Sequence, residues 1–262
     1  MNGPANNDAS LAFHDHFSRK AGDYARCRPT YPSSLFDFLA SVAPGRRLAW
    51  DCGTGNGQAA RELAARFDHV VATDASAEQL AHAVAHERID YRVERAEDVS
   101  LRSGTVDLLT VATAVHWFDL EKFYSAVRRV VVPGGIIAVW TYHQSLIEPA
   151  IDTIMAGYHR HVLGGYWSER IRHQDARYRT LPFPFEEIRA PSFEAVAEWN
   201  LPRIVGFLES WSAAQRYEQE HDVSPVTAIL PDLARAWGDP AATRTVRWPL
   251  YLRVGRVNMG VG

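Results

Sequence analysis

Two nearly unbroken apolar runs constrain the fold of this chain more than any other feature. Val106 to Thr113 reads VDLLTVAT and Ile136 to Thr141 reads IIAVWT, and both are rich in β-branched residues. Such runs are typical of strands buried on both faces, as in parallel sheets. Between them, Leu120 to Val130 has the apolar spacing of an amphipathic helix and is followed by the turn signal Pro133-Gly134-Gly135. This alternation predicts right-handed crossovers and a parallel α/β sheet.

The same alternation organises the rest of the first half of the chain. Shorter strands are expected at Leu48–Trp50, His69–Thr73 and Tyr91–Val93. Helices are expected over Gln58–Phe67 and around Leu80–Val84, because apolar residues recur there at helical spacing. With 262 residues and 47% hydrophobic content, the chain is long enough to bury one sizeable core.

The rhythm changes after Tyr142. Residues 144–185 begin with an expected helix, Glu148 to Leu163, and are predicted to form a helical lid insertion. Strands and helices are expected to alternate again in the remainder, at Phe193–Trp199, Leu201–Trp211, Pro225–Trp237 and Thr245–Val257. We therefore expect one domain over residues 11–262, with a cap at 11–45, a core at 46–143, and lid and sheet completion at 144–262. Residues 1–10 are expected to be a disordered tail.

Composition narrows the range of partners. Cys27 and Cys52 are the only cysteines and form no CxxC pair, which argues against a disulfide framework or zinc knuckle and favours a reducing cytoplasm. A net charge of −3 offers no broad basic field for nucleic acid or an anionic membrane. No apolar run is long enough to span a bilayer, and the polar start MNGPANNDAS does not resemble a signal peptide.

The segment LAWDCGTGNGQ, Leu48 to Gln58, carries the clearest ligand signal. Asp51 ends the first strand, and Gly53, Gly55 and Gly57 follow at alternate positions before Gln58. Glycines in such a turn allow positive φ and close approach of the backbone to a ligand. The third glycine comes one residue too early for the nicotinamide-binding pattern GxGxxG. An acidic residue before the glycines instead suits a ligand with a positively charged ammonium or sulfonium group.

Two more acidic positions follow the next two strands. Asp74 ends the second strand, where a carboxylate can accept both hydroxyls of a ribose. Ala96-Glu97-Asp98 follow the third strand, where a carboxylate can receive an adenine amino group. A glycine cluster alone indicates only a tight turn. The three signals in order, each at a strand end, predict an adenosine-containing cofactor with a charged amino-acid portion.

With these motifs the sequence resembles the class I S-adenosylmethionine-dependent methyltransferases. The segments DYARCRPTYP (Asp23 to Pro32) and AVHWFD (Ala114 to Asp119), with Ser210-Trp211-Ser212, resemble the type-11 methyltransferase-domain proteins around trans-aconitate and cantharidic-acid methyltransferases. The resemblance implies a Rossmann-like, seven-stranded, mostly parallel sheet with helices on both faces and an antiparallel last strand. It also implies S-adenosylmethionine as the cofactor, contacts around Asp51 to Gly57, Asp74 and Ala96 to Asp98, and an N-terminal helix over the cofactor.

Other residues are candidates for binding or catalysis. Arg28 suits a bidentate contact to the cofactor carboxylate, against the alternative of a surface ion pair. Trp117 is expected to contact the cofactor or to belong to the core. His116 and His143 follow the fourth and fifth strands at the ligand-binding edge and are candidate catalytic bases, although a structural role is slightly favoured for His116.

The insertion contributes aromatic candidates and an apparent metal motif. Tyr166, Trp167 and Trp211 are expected either to line an apolar acceptor pocket or to bury the underside of the lid. His159-Arg160-His161 has no carboxylate at a helical offset and is interpreted as a solvated helix face, as is His14-Asp15-His16. We therefore predict no metal.

The predicted reaction is methyl transfer to a small molecule, most simply O-methylation of a carboxylate that is already ionised at neutral pH. The alternatives are N-, C- or phenolic O-methylation with a histidine base, or cofactor binding without transfer. A nucleic-acid methyltransferase is disfavoured because Thr113 to Phe118 lacks the (Asp/Asn)-Pro-Pro-aromatic motif of enzymes that methylate exocyclic amines. The sequence does not indicate an oligomeric state.

Overall fold

A computed structural model describes residues 28–258, so the predicted tail and residues 11–27 of the cap lie outside the described residues. An eight-stranded sheet forms the centre, and its strands are β1 Leu48–Cys52, β2 His69–Asp74, β3 Ile89–Val93, β4 Val106–Ala112, β5 Val131–Tyr142, β6 Glu186–Ile188, β7 Phe193–Trp199 and β8 Arg244–Val257. They lie in the order β3-β2-β1-β4-β5-β8-β6, with β7 also paired to β8. The first five strands run parallel, and β8 is antiparallel to β5.

Helices cover both faces of this sheet, as the sequence predicts. They are α1 Ser33–Val42, α2 Gln58–Ala64, α3 Ala77–Ala81, α4 Leu120–Val130, α5 Pro149–Gly157, α6 Arg172–Asp175, α7 Leu201–Glu209, α8 Ser212–His221 and α9 Leu230–Trp237. The expected helical face through Val84 is wrong, because α3 ends at Ala81 and Val84 is 56% exposed. Among residues 28–258, no helix has both the length and the apolarity needed to cross a membrane.

The unbroken apolar character of the strands follows from burial on two sides. Neighbouring residues point to opposite faces, so Leu108 packs with the cluster beneath α1 and α2, and Leu109 packs with the cluster beneath α4. Ala49 and Trp50 divide in the same way on β1, and all four side chains are fully buried. Alternating polar residues would leave polar groups in one of the two clusters, which explains the absence of alternation in the sequence.

The turn predicted at Pro133-Gly134-Gly135 lies instead within β5. Helix α4 ends at Val130 and β5 begins directly at Val131. The pairing with β4 then skips from Val131 to Ile136, and Gly134 has φ +78°. The proline and glycines therefore form a bulge in β5. A bulge, like a turn, needs residues that can leave the ordinary strand conformation, so the same sequence signal serves both.

The eighth strand arises because the far edge of β8 is covered in two pieces. Strand β6 pairs with β8 around Val254 and β7 pairs with it from Leu250 to Arg244, both antiparallel. Pro191 lies between these two strands and has no N–H for the ladder. The edge strand of the expected seven-stranded sheet is thus interrupted and counts as two strands, β6 and β7.

The insertion is helical at its start, as predicted, but its helix changes form. After α5, residues Tyr158–Val162 continue as a π-helix, followed by short helical turns up to α6. The segment from the π-helix to α6 reaches the carboxyl ends of the parallel strands. It therefore covers the edge at which ligands bind in open α/β folds.

Candidate functional site

A cavity of about 690 Å³ lies at the carboxyl ends of the parallel strands. The loops after β1, β2, β3, β4 and β5 form its floor, and the insertion and the start of α8 form its roof. The strand order reverses between β1 and β4, and such switch points are where α/β sheets bind ligands. The volume lies within the usual range for small-molecule sites.

The glycine loop forms the floor after β1. The amides of Gly53 and Thr54 donate to the Thr73 carbonyl at 2.8 and 3.0 Å, which anchors the loop to β2. Gly53 has φ +67°, and a Cβ there would lie 2.6 Å from the Ala114 side chain. Both its conformation and its space therefore require glycine. Gly53, Gly55 and Gln58 line the cavity.

Gly57 lies at the start of α2. It precedes the first turn of this helix with φ +80°, and an added Cβ would collide with the Tyr91 ring. Gly57 therefore sets the start of α2 and its packing on β3. It does not line the cavity, and its role in cofactor binding stays a prediction.

Asp51 lies beneath the cavity wall, which corrects the expectation of direct ligand contact. Its side chain is 1% exposed and accepts hydrogen bonds from the hydroxyls of Thr54 at 2.5 Å and Thr110 at 2.7 Å. Burial raises the pKa of Asp51 to about 6, and the bonds from Thr54, Thr110 and the Ala60 backbone counteract part of this rise. The carboxylate therefore ties the glycine loop to β4.

Asp74 lies on the cavity wall, as expected. Its Oδ2 accepts from the Gly55 amide at 2.8 Å and its Oδ1 accepts from the Ser76 amide at 2.9 Å. Two backbone donors hold the carboxylate in one orientation. A carboxylate oxygen can accept more than one hydrogen bond, which is what recognition of two neighbouring hydroxyls requires.

The predicted acidic cluster after β3 divides between the cavity and the surface. Ala96 and Glu97 line the cavity, and Glu97 Oε1 accepts from the Asp119 amide at 2.8 Å. Asp98 is exposed and does not line it, so its role as a cofactor residue stays a prediction. Ala96 and Glu97 flank the cavity, whereas Asp98 has already turned towards solvent.

His116 borders the cavity, but only 5% of its surface is exposed. Its Nδ1 lies 2.8 Å from the Tyr178 hydroxyl. Burial, with smaller contributions from His173 and Arg170, lowers the pKa of His116 to about 3. A histidine that resists protonation in this way is poorly suited to take a proton near neutral pH, which counts against His116 as the base.

Trp117 lines the cavity directly after His116. Its backbone carbonyl accepts a hydrogen bond from the Arg170 guanidinium, which connects the loop after β4 to the insertion. Arg170 was not identified from the sequence. It lies in a short helical turn 53 residues further along the chain, and no local pattern links the two.

Arg28 is the first described residue and lines the cavity. Its guanidinium donates to the Tyr142 hydroxyl at 2.8 Å and to the Ser210 carbonyl at 3.1 Å, and lies over the Phe207 ring. These contacts join the cap to β5 and to the end of α7, so Arg28 is not a plain surface ion pair.

His143 faces two residues that the sequence did not connect with it. Its Nε2 lies 2.9 Å from Asp175 Oδ1, and His159 Nε2 lies 3.7 Å from the same oxygen. The His159 side chain is only 15% exposed and lines the cavity, so the interpretation of His159 as part of a solvated helix face is wrong. Asp175 supplies the carboxylate through the tertiary fold.

The aromatic candidates divide between cavity and surface. Trp167 and Trp211 line the cavity, and their ring centroids are 5.8 Å apart. Tyr166 does not line it; its hydroxyl lies 2.6 Å from His221 Nε2 on an exposed face. Arg216 also lines the cavity, and its guanidinium donates to the Tyr166 carbonyl at 3.3 Å. It was not identified from the sequence.

Comparisons with known proteins agree with this architecture. The family model described as "Methyltransferase domain" matches residues 50–139. A candidate methyltransferase from Dictyostelium discoideum is 29% identical, covering 92% of this chain and 94% of that protein. A solved structure of a candidate type II methyltransferase from Anaeromyxobacter dehalogenans is 40% identical with a TM-score of 0.81, covering 88% of this chain and 98% of its own. A Saccharomyces cerevisiae protein named for S-adenosylmethionine-dependent methyl transfer is 30% identical over 48% of this chain and 46% of its own length.

Proposed function

Because this chain belongs to the S-adenosylmethionine-dependent methyltransferases, we propose that it methylates a small-molecule acceptor, and that a carboxylate oxygen receives the methyl group. The narrower resemblance to trans-aconitate and cantharidic-acid methyltransferases stays a prediction, and methylation of a carboxylate would agree with it.

The observation that carries the proposal is a division of charge across the cavity. Acidic residues of the wall follow β2, β3 and β4: Asp74, Glu94, Glu97 and Asp119. Arg95 is the one cation among them in the lining of the described cavity. Cationic and imidazole groups predominate on the other side and in the roof, where Asp175 is the one carboxylate: Arg28, Arg170, Arg216, His143 and His159. β3 and β5 are four steps apart in the sheet, or roughly 19 Å at about 4.8 Å per step. A polar cofactor and an anionic acceptor suit the two ends respectively.

The acidic end fits the cofactor. The Gly53 conformation keeps the floor free of a side chain where a Cβ would crowd Ala114, and Asp74 is held by two amides in a fixed orientation. Asp74 would accept the ribose hydroxyls and Glu97 would border the adenine, while Arg28 would pair with the methionine carboxylate. S-adenosylmethionine supplies a methyl group already activated on a sulfonium.

The remaining task of the protein is to orient the acceptor and exclude water. A carboxylate has a pKa of about 4 and needs no base at neutral pH. Arg170 and Arg216 would pair with the acceptor, while Trp167 and Trp211 limit solvent around it. Alignment of this kind can lower a barrier by about 7–11 kcal/mol in favourable cases.

One observation favours a second candidate function. The 2.9 Å contact between His143 Nε2 and Asp175 Oδ1 is the arrangement that orients a histidine as a base. Such a base would suit a phenol or amine acceptor, which must lose a proton. We rank this second because the division of charge favours an acceptor that is anionic before it binds.

The test is to identify the methylated product. The purified protein is incubated with methyl-labelled S-adenosylmethionine and a small-molecule extract of the native cell, and the labelled product is treated with mild alkali. We expect a methyl ester, which releases its label as methanol. Label retained after alkali would contradict carboxylate methylation and favour a phenol, amine or carbon acceptor. Cofactor binding without any labelled product would contradict methyl transfer to a small molecule of that cell.

A further inference from the structure

Three side chains from separate elements converge at the acceptor end of the cavity. His143 follows β5, His159 lies in the π-helix Tyr158–Val162 and Asp175 ends α6. One donor atom from each lies within 4.8 Å of the other two. Residues this far apart in sequence meet only because the insertion folds back over the sheet edge.

The π-helix is what turns His159 towards the others. A π-helical turn is wider than an α-helical turn and occurs mostly as short segments, frequently at functional sites. Tyr158 is fully buried beside it, and the Trp167 indole N–H donates to the His159 carbonyl at 3.0 Å. The centroids of the Trp167 and His159 rings lie 4.6 Å apart. Trp167 therefore contacts both the backbone carbonyl and the imidazole ring of His159.

The arrangement exceeds what a simple ion pair requires. Two imidazoles approach the same oxygen, Asp175 Oδ1, and their ring centroids lie 5.4 Å apart. One cation can bind both imidazole nitrogens and the carboxylate oxygen together, whereas an ion pair joins only two side chains.

We propose that His143, His159 and Asp175 bind one divalent transition-metal ion of the zinc class. Imidazole nitrogens suit Zn²⁺, Fe²⁺, Co²⁺ or Ni²⁺, whereas Mg²⁺ and Ca²⁺ prefer all-oxygen sites. Three protein ligands leave at least one coordination position available, as in non-structural zinc sites. All three residues line the cavity, so that position is accessible to a molecule bound there.

The role of the metal rests on the proposed function. A small acceptor with a second oxygen group, such as another carboxylate or a hydroxyl beside the first, would coordinate the metal through that group. The metal would then orient the acceptor together with Arg170 and select against molecules with only one oxygen function. Metal binding itself requires only the three protein ligands.

The test measures metal binding without cofactor or acceptor. Full-length protein is treated with chelator, dialysed and titrated with ZnCl₂ by calorimetry, and with CoCl₂ while visible absorption is recorded. We expect saturable binding at a single site and visible bands typical of nitrogen–oxygen coordination. His159→Ala and Asp175→Asn should each weaken zinc binding by at least about 10–100-fold, the loss that outer-shell changes alone can cause.

A matched control is His161→Ala, in the same π-helix but exposed and outside the cluster. It should bind zinc as tightly as the natural protein, and circular dichroism should show that all variants are folded. No saturable binding, or equal loss in His161→Ala, would overturn the site. S-adenosylmethionine binding by the chelator-treated protein, measured in parallel, tests the proposed function independently of the metal.

Discussion

Asp51 is the second-last residue of β1 and Asp74 is the last residue of the neighbouring β2, yet their surroundings give them different roles. Asp51 is enclosed by Thr54, Thr110 and the start of α2, so it orders the loop from beneath. Asp74 keeps its carboxylate on the cavity wall while two amides orient it. A fixed acceptor beside a cavity can bind hydroxyls without first losing side-chain freedom.

Replacing Asp74 therefore tests cofactor recognition. Asp74→Ala should weaken S-adenosylmethionine binding by about 1.5–3 kcal/mol, because buried ribose hydroxyls would lose their partner. Calorimetry measures this, with Asp232→Ala, an exposed carboxylate of α9 outside the cavity, as the control that should bind normally. Equal affinities in all three proteins would contradict the assignment of Asp74.

His116 makes a prediction about stability and pH. Burial holds its folded pKa at about 3, below the ordinary value of 6.5, so the unfolded chain binds the extra proton between these values. The contribution of His116 to the free energy of unfolding is therefore fully present above pH 6.5 and is lost as the pH falls towards 3. Asp51, with its pKa raised to about 6, acts in the opposite direction over part of this range.

Comparison with His116→Gln isolates the histidine, because Asp51 is common to both proteins. As the pH falls from about 6 to 4, the free energy of unfolding of His116→Gln should rise relative to that of the natural protein by up to about 1.4 kcal/mol per pH unit. Urea unfolding at several pH values measures the two curves. Parallel curves would mean that His116 is protonated normally in the folded protein.

At the scale of elements, the start of α2 sets the floor of the site. Gly57 takes φ +80° immediately before the helix and packs against Tyr91 on β3. The glycine loop, α2 and β3 are thereby held together, and Gly53 and Gly55 face the cavity as a consequence.

Gly57→Ala should destabilise the protein by about 1–2 kcal/mol from the left-handed backbone alone, with a further loss from collision with Tyr91. Gly164→Ala is the matched control, since φ is ordinary there and no atom lies within 4 Å of the added Cβ. It should change stability by less than about 0.5 kcal/mol. Similar urea midpoints for both variants would show that α2 can shift to accommodate the side chain.

At the scale of the whole molecule, the sheet edge and the insertion enclose one cavity with unlike ends. The acidic end follows from the first four parallel strands, whereas the cationic end depends on how the cap, the insertion and α8 meet β5. Opposed charges of this kind favour a defined orientation of two ligands bound together.

The acceptor class predicts the pH dependence of the rate. For a carboxylate, kcat should stay flat from about pH 7 to 9, because the nucleophile is already ionised and His116, with its lowered pKa, stays neutral. We expect His143→Ala mainly to raise the KM of the acceptor. Steady-state rates across this range measure both quantities. A steep rise of kcat with pH, lost in His143→Ala, would favour base catalysis instead.

The sequence alone determined the sheet, the strand ends and the acidic end of the cavity. Buried parallel strands need continuous apolar runs, and a glycine loop with following carboxylates is a local pattern. The positions of Gly53, Asp74 and Glu97 on the cavity wall were therefore predictable. Whether a strand-end residue reaches the cavity or lies beneath it is set by packing. The same pattern includes Asp51, which lies beneath the cavity wall, and Gly57 and Asp98, which do not line the cavity.

Only the tertiary structure decided the cationic end of the cavity. Arg170, Arg216 and Asp175 belong to separate helical segments, and no local pattern indicates that all three line the same cavity as His143. Asp175 contacts His143 although the two lie 32 residues apart. The π-helix around His159 also breaks the 3.6-residue spacing from which a helix face is deduced, so the imidazole lies in the cavity and not in solvent. Local patterns describe single elements, whereas this half of the site exists only where the folded insertion meets the sheet.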